Sequence, residues 1–178
     1  MLFLTPAMHI AQSKRPDLPF FDWNACPFEG CVYRQWTARA SVTVYNTWKR
    51  NRREAAHLST GDSVLAVTGV VITYRPGIIR MNHDMPEQGL QRGNLIYMYS
   101  YRGEGSWLVW FNGRFREDLG VPYTALAHRQ DCAEDCIAIE VQEGKREWWA
   151  KVKMKSGKTA WVNMDKEFEN LDGVDALS

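Results

Sequence analysis

Four cysteines are the residues best equipped for chemistry in this chain, and they come as two close pairs, Cys26/Cys31 and Cys132/Cys136. An even number in tight pairs suits disulfides in an oxidising compartment or a zinc site in a reducing one. Both pairs together could close a zinc tetrahedron, but C-x4-C and C-x3-C depart from the usual C-x2-C ligand spacing. Disulfides are the favoured reading of Cys26, Cys31, Cys132 and Cys136. Zinc is the alternative, and a crossed pairing such as Cys26 with Cys136 stays open. A redox-active pair is disfavoured, because no C-x-x-C occurs. His9, His57, His83 and His128 are scattered, with Asp84 the only adjacent acid. Catalysis needs nucleophile, base and orienting group in one place, and no HExxH, GxSxG or phosphate-cradling glycine loop is present. The favoured reading therefore has no catalytic residue, no bound metal and no cofactor.

Aromatic side chains are the second resource, at 12% of the chain with 8 Trp. In LIYMYSY, strand alternation sets Leu95, Tyr97, Tyr99 and Tyr101 on one face and Ile96 and Met98 on the other. In WLVWF, Trp107, Val109 and Phe111 oppose Leu108 and Trp110. Both strands are apolar on both sides, so one face makes a core and the other meets a second layer, a partner or a ligand. Internal packing is the commoner fate. An aromatic groove for an extended peptide or glycan is the sharper one, built from Tyr99, Tyr101, Trp110 and Trp149. Trp149 enters that set because EWWAKVKMK places Trp148, Ala150, Val152 and Met154 on one face and Trp149 in a row with Lys151, Lys153 and Lys155. On that face the ring is expected to be half-exposed.

The chain is 178 residues long, room for one ordinary domain or two small ones. Lys and Arg number 22 against 21 Asp and Glu, a net charge of +1. That balance argues against a nucleic-acid binder relying on a strong positive field. The basic run Lys49, Arg50, Arg52 and Arg53 reads first as a solvated loop, with the acidic tail Asp165 to Asp175 available to balance it. The opening MLFLTPAMHIA is apolar and ends in small residues, as the tail of an export signal does, although a basic leader is missing. No stretch is long and apolar enough to span a bilayer. These features point to a periplasmic or secreted protein.

The elements that must position these residues read as strands, with no long amphipathic helix. SVTVYNTW and HLSTGDSVLAVTGVVITY are β-rich, and Arg75-Pro76-Gly77 closes the second. LQRGNLIYMYSY repeats the form of LSTGDSVLAV. Leu58, Gly61, Asp62 and Val64 align with Leu90, Gly93, Asn94 and Ile96, roughly thirty residues on, a spacing at which internal repeats are suspected. Asn112-Gly113 predicts a hairpin joining Trp107–Phe111 to Arg114–Arg116, since both turn residues tolerate positive φ. Ser156-Gly157-Lys158 predicts a second hairpin.

Leu58, Gly61, Asp62 and Val64, followed later by Trp149, Lys151, Val152, Gly157, Trp161 and Val162, resemble the pattern of the bacterial SH3-like (Src-homology-3-like) domain. Ala160 stands where that family commonly has glycine. The resemblance implies a small barrel of five or six strands that serves as a binding module outside the cytoplasm, often near the cell wall. The expected fold is mostly β, either two small barrels or one barrel with a large inserted hairpin sheet. The expected organisation is a Cys-containing leader over 1–37, a first β unit with an insert over 38–130, and a second β unit with an acidic tail over 131–178. The expected function is non-catalytic recognition of a cell-envelope peptide, glycan or protein, with no nucleic acid and no transmembrane anchor. The alternatives are a structural, self-associating domain and a cell-wall hydrolase with an unrecognised Cys/His site.

Overall fold

The longest strand, SVLAVTGVVITYR, is dense in β-branched residues, which suit a pleated surface buried on both sides. The computed structural model describes residues 14–28, 30–103, 105–120, 136–164, 168–169 and 171. Its described elements are thirteen strands and a single 3-10 turn over Pro86–Gln88. Strands β1 to β4 cover Phe20–Trp23, Gln35–Ala38, Val42–Tyr45 and Glu54–Leu58, and β5 is the long strand Ser63–Arg75. Strands β6 to β9 cover Gly77–Met81, Leu95–Gly103, Ser106–Phe111 and Arg114–Arg116. Strands β10 to β13 cover Ala138–Gln142, Lys145–Lys153, Thr159–Asn163 and Phe168–Glu169. The protein is mostly β.

At thirteen residues, β5 spans about 40 Å. One edge carries two partners in succession: β2 pairs with its start, Gln35 opposite Leu65, and β1 with its end, Phe21 opposite Ile72. The other edge is filled by β11, from Lys153 opposite Leu65 to Lys145 opposite Arg75. Val67 has no opposite residue, because Lys151 faces Thr68 while Val152 faces Ala66. An extra residue bends a strand and raises its twist. Here it also inverts the parity of β5. Val64 and Ala66 enter one core with Trp36, Val44, Ala150, Val152 and Val162, whereas Val70 and Ile72 enter another with Trp149.

The strands form two sheets, ordered β13-β2-β5-β11-β12-β3-β4, with β1 also on β5, and β10-β6-β7-β8-β9. The larger sheet curls into a half-barrel. With β1 and the β3–β4 hairpin set aside, the two sheets share one connectivity. Across each sheet the strands run fifth, first, second, third, fourth in chain order. The smaller sheet is inserted whole between β5 and β11.

The predicted repeat is the turn that enters the second strand of each set. In the first copy, the Ser59 N–H donates to Asp62 Oδ2 (2.8 Å), and Gly61 N–H donates to the Ala38 carbonyl (2.8 Å). Ala38 N–H in turn donates to the Asp62 carbonyl (2.9 Å). In the second copy, Gln91 N–H donates to Asn94 Oδ1 (2.8 Å), Gly93 N–H to the Met81 carbonyl (2.8 Å), and Met81 N–H to the Asn94 carbonyl (3.0 Å). The glycines take φ of +86° and +85°, a region open to glycine at little cost. Leu58, Val64, Leu90 and Ile96 are all buried. The predicted hairpins are present too: Phe111 pairs with Arg114 around Asn112 and Gly113, both at positive φ, and Lys153 pairs with Thr159.

The sheets meet along β1, β5 and β7. Phe20 packs on Tyr99 and Phe115 at 5.0 and 4.9 Å, and buried Asp22 accepts from Ser100 Oγ and pairs with Arg102 at 2.6 Å. Thr73 Oγ1 donates to the Tyr99 carbonyl (2.8 Å). The Arg146 guanidinium donates to the carbonyls of Tyr99 (2.5 Å) and Met98 (2.6 Å) and lies over the Trp107 ring. Burial pulls that guanidinium down to about 10, against the opposite pull of Glu140.

Removing the acceptor of either repeated turn, Asp62→Ala or Asn94→Ala, is expected to lower stability by about 0.5–1.5 kcal/mol in urea unfolding, the net worth of a hydrogen bond whose donor water can reach. Asp62→Asn should be nearly neutral, because asparagine already fills this role in the second copy. Equal losses for Asp62→Asn and Asp62→Ala would show that the side-chain oxygen does not hold the turn.

Candidate functional site

Strand alternation and register bring a set of aromatic residues to the outer face of the larger sheet. Trp23 stands opposite Val70, Phe21 opposite Ile72, Val70 opposite Trp149, and Trp149 opposite Asn163. Trp161 lies opposite both Lys151 and Tyr45. Trp149, Val70 and Ile72 are the buried floor, with Phe21, Tyr45, Trp48, Tyr74 and Trp161 packed against them. Trp48 reaches the floor from the β3–β4 connection. Its ring lies 5.2 Å from Phe21 and 5.8 Å from Trp23, edge-on to the latter at 71°. Trp23 stacks beside Phe21 at 6.3 Å and is 51% exposed.

Cations lie over this floor. Arg52 sits over Trp149 at 4.9 Å and over Tyr45 at 5.4 Å, and Lys49 over Trp48 at 5.9 Å. These are cation–π distances, at which the negative ring face attracts the charge. Glu147 Oε2 accepts from Trp149 Nε1 (3.0 Å) and from Tyr74 Oη (3.2 Å). Burial and then Glu147 raise the Tyr74 phenol, while Arg50 and Arg52 act in the opposite direction. Glu54 is held at 2.5 Å by His57. Lys49, Arg50, Arg52 and Arg53 are exposed and make no ion pair with a described residue.

The four residues singled out from sequence do not converge. Trp149 lies on the predicted face but is 0% exposed, a correction with a plain cause: Tyr45 and Arg52 come from β3 and the loop after it and close over the ring. Tyr99 is also buried, at 1%. A register shift in β7 between Met98 and Ser100 turns it against Phe20 and Phe115, so it does not share a face with Tyr101 as alternation alone predicts. Trp110 joins that cluster through Phe115 at 5.1 Å. Tyr101 is half-buried against Trp107, and its hydroxyl accepts from Gly105 N–H. Phe21, Trp23 and Trp48 were not singled out, though the alternation in FFDW and the tryptophan beside the basic run carried the signal.

Cys26 is bonded to Cys31, with Cα atoms 5.5 Å apart. That pairing removes both from any zinc site and rules out a Cys26–Cys136 bridge. Cys136 is disulfide-bonded as well, with a partner outside the described residues. Cys132, His9, His128 and most of the acidic tail also lie outside them. Among the described residues no group of His, Cys, Asp or Glu has metal-binding geometry, and no helix is long and apolar enough to cross a membrane. The Cys26–Cys31 loop covers the inner core: its Phe28 packs on Trp148 at 5.3 Å, and Tyr33 Oη donates to the Ala25 carbonyl. Gly69 must lack a side chain, because a Cβ there would strike the Tyr33 hydroxyl and Trp148 Nε1. Burial drives the Tyr33 phenol up to about 12. Comparison of the chain with known protein families, curated proteins and solved structures finds no match.

Trp149→Ala is expected to cost about 3–5 kcal/mol by chemical unfolding, as for a buried aromatic, while Trp23→Ala stays within about 0.5 kcal/mol. Comparable losses at both would contradict the burial difference. Tyr33 carries a pH dependence of definite sign. Its unfolded phenol ionises near 10.0 and its folded one near 12, so stability contributed below pH 10 is lost between those values. Alkaline ultraviolet titration should show a late tyrosine that Tyr33→Phe removes.

Proposed function

We propose that this chain is an exported, non-catalytic binding module made of two SH3-like units, the second inserted between the second and third strands of the first. The shared strand order and the repeated Leu-x-x-Gly-Asp/Asn turn support the two-unit reading, and the Cys26–Cys31 bridge fits an oxidising compartment. The ligand is a component of the cell envelope, a peptide, glycan or protein. It is recognised on the outer aromatic face of the larger sheet.

The observation that carries this reading is Trp23. A half-exposed indole, packed on Phe21 and Trp48, with Lys49 over Trp48 and no ion pair to that lysine among the described residues, offers a rigid apolar surface with polar groups at its rim. Two of the four aromatics chosen from sequence are consumed by internal packing, so recognition moves from them to Trp23 and Trp48. Hydrolysis is not favoured by the same geometry. His57 is occupied by Glu54 and lies 3.2 Å from Thr43 on an exposed strand, and the described cysteines are bonded.

An array of envelope glycans and peptides probed with the intact chain should give at least one ligand. Trp23→Ala should weaken its binding by about tenfold or more, in the range of a lost interface anchor, without shifting thermal unfolding by more than a few degrees. Unchanged binding by Trp23→Ala would move the site elsewhere. Concentration-dependent self-association that shields Trp23 from acrylamide quenching would favour the structural reading instead.

A further inference from the structure

The charges around the platform specify its ligand more narrowly. Both carboxylates near it are engaged, Glu147 by Trp149 Nε1 and the Tyr74 hydroxyl, Glu54 by His57. The four cations of the β3–β4 connection, Lys49, Arg50, Arg52 and Arg53, have no anionic partner among the described residues. Arginine and lysine only donate hydrogen bonds. A ligand for this surface therefore carries acceptors and negative charge, together with a flat apolar face for Trp23.

Resting on the reading of this face as the binding site, we infer that its ligand is an acidic glycan whose pyranose rings bear carboxylates. A pyranose presents a face of C–H groups that lies on an indole, and a rim of hydroxyl and carboxylate oxygens. Trp23 supplies the stacking surface. Arg52, whose guanidinium lies over Trp149 and Tyr45, has N–H groups to donate to those oxygens. Lys49 sits likewise over Trp48. An extended acidic peptide matches the charge but carries no flat ring face of C–H groups for Trp23. A single-stranded nucleic acid shares the stacking and the charge. The Cys26–Cys31 bridge favours the glycan, since it fits a compartment where oxidised cysteines persist and envelope polysaccharides are found.

The test is calorimetric titration of the full chain with a hexameric oligogalacturonate, neutral chitohexaose, a glutamate hexapeptide and a short oligothymidylate. Oligogalacturonate should bind at least about tenfold more tightly than any of the others. Its affinity should fall about tenfold between 0.05 and 0.5 M salt, as exposed charge pairs are screened. Arg50→Gln with Arg53→Gln should weaken it about fivefold or more while leaving thermal unfolding unchanged, because both side chains project into solvent. Equal binding of chitohexaose, sensitive to Trp23→Ala but not to salt, would overturn the acidic ligand and leave the platform intact. Preferred binding of the peptide or oligothymidylate would overturn the glycan. Binding of any probe that Trp23→Ala does not affect would overturn the platform itself.

Discussion

One extra residue in one strand decides what the two faces of the larger sheet contain. Val67 has no opposite number on β11, so β5 enters the sheet with Val64 and Ala66 facing the half-barrel core and leaves it with Val70 and Ile72 facing outward. β11 keeps its alternation through this stretch, with Ala150 and Val152 inward and Trp149 outward. Without the bulge, Trp149 would still point outward, but the aliphatic floor beside it would turn to the other core. A one-residue change of register sends every later side chain to the opposite face. The outer aromatic layer exists because that change is built in.

The same constraint explains how the two sheets meet. Past the bulge, the inward positions of β5 are Gly69, Val71 and Thr73. Gly69 leaves room for the Tyr33 hydroxyl, and Thr73 Oγ1 donates to a carbonyl of β7. β1 lies on this second half of β5 and divides its own side chains between the layers, Phe21 and Trp23 to the outer face, Phe20 and Asp22 to the smaller sheet. Arg146 completes the join from β11. Its guanidinium donates to the carbonyls of Met98 and Tyr99, beside the register shift that turns the Tyr99 ring inward. A charge held mostly by carbonyl dipoles in low dielectric loses part of its preference for the protonated form, and burial moves Arg146 in that direction.

What could be read from the sequence was local. Strand content followed from alternation, the Asn112-Gly113 hairpin from the tolerance of those residues for positive φ, and the repeat from Gly61-Asp62 and Gly93-Asn94. The legible part of the repeat is its local half, an Asx oxygen accepting from the N–H three residues earlier, whereas the glycine N–H reaches back to Ala38 on β2 or Met81 on β6. What could not be read depends on distant partners. Trp149 sits in a row of lysines, and only Arg52 and Tyr45, about a hundred positions earlier, decide that it is covered; separations of that size leave no trace in a strand period. Tyr99 was placed with Tyr101 by a rule that a register shift suspends. Trp23 was passed over because its segment reads as a leader with prolines, and its pairing with β5 is visible only in three dimensions.

The outer layer also shows how burial and exposure are divided among similar rings. Trp149, Val70 and Ile72 are closed off, and Phe21, Trp48 and Tyr45 half-cover them, so most of the aromatic area does the ordinary work of removing apolar surface from water. Trp23 is different, since about half of it stays in contact with solvent although Phe21 stacks beside it and Trp48 meets it edge-on. Leu65 and Val67, on the first half of β5, are about equally exposed, at 49% and 50%. Single exposed apolar residues are common on a protein surface, but Trp23 packs edge-on to Trp48, over which Lys49 sits, a cation with no anionic partner among the described residues. Folding alone would be served as well by a polar residue at position 23 and fewer arginines in the β3–β4 connection, because like charges so close together repel. The combination fits the proposed ligand, an acceptor-rich, negatively charged molecule with a flat apolar face, which would cover Trp23 and face cations that have no anionic partner among the described residues.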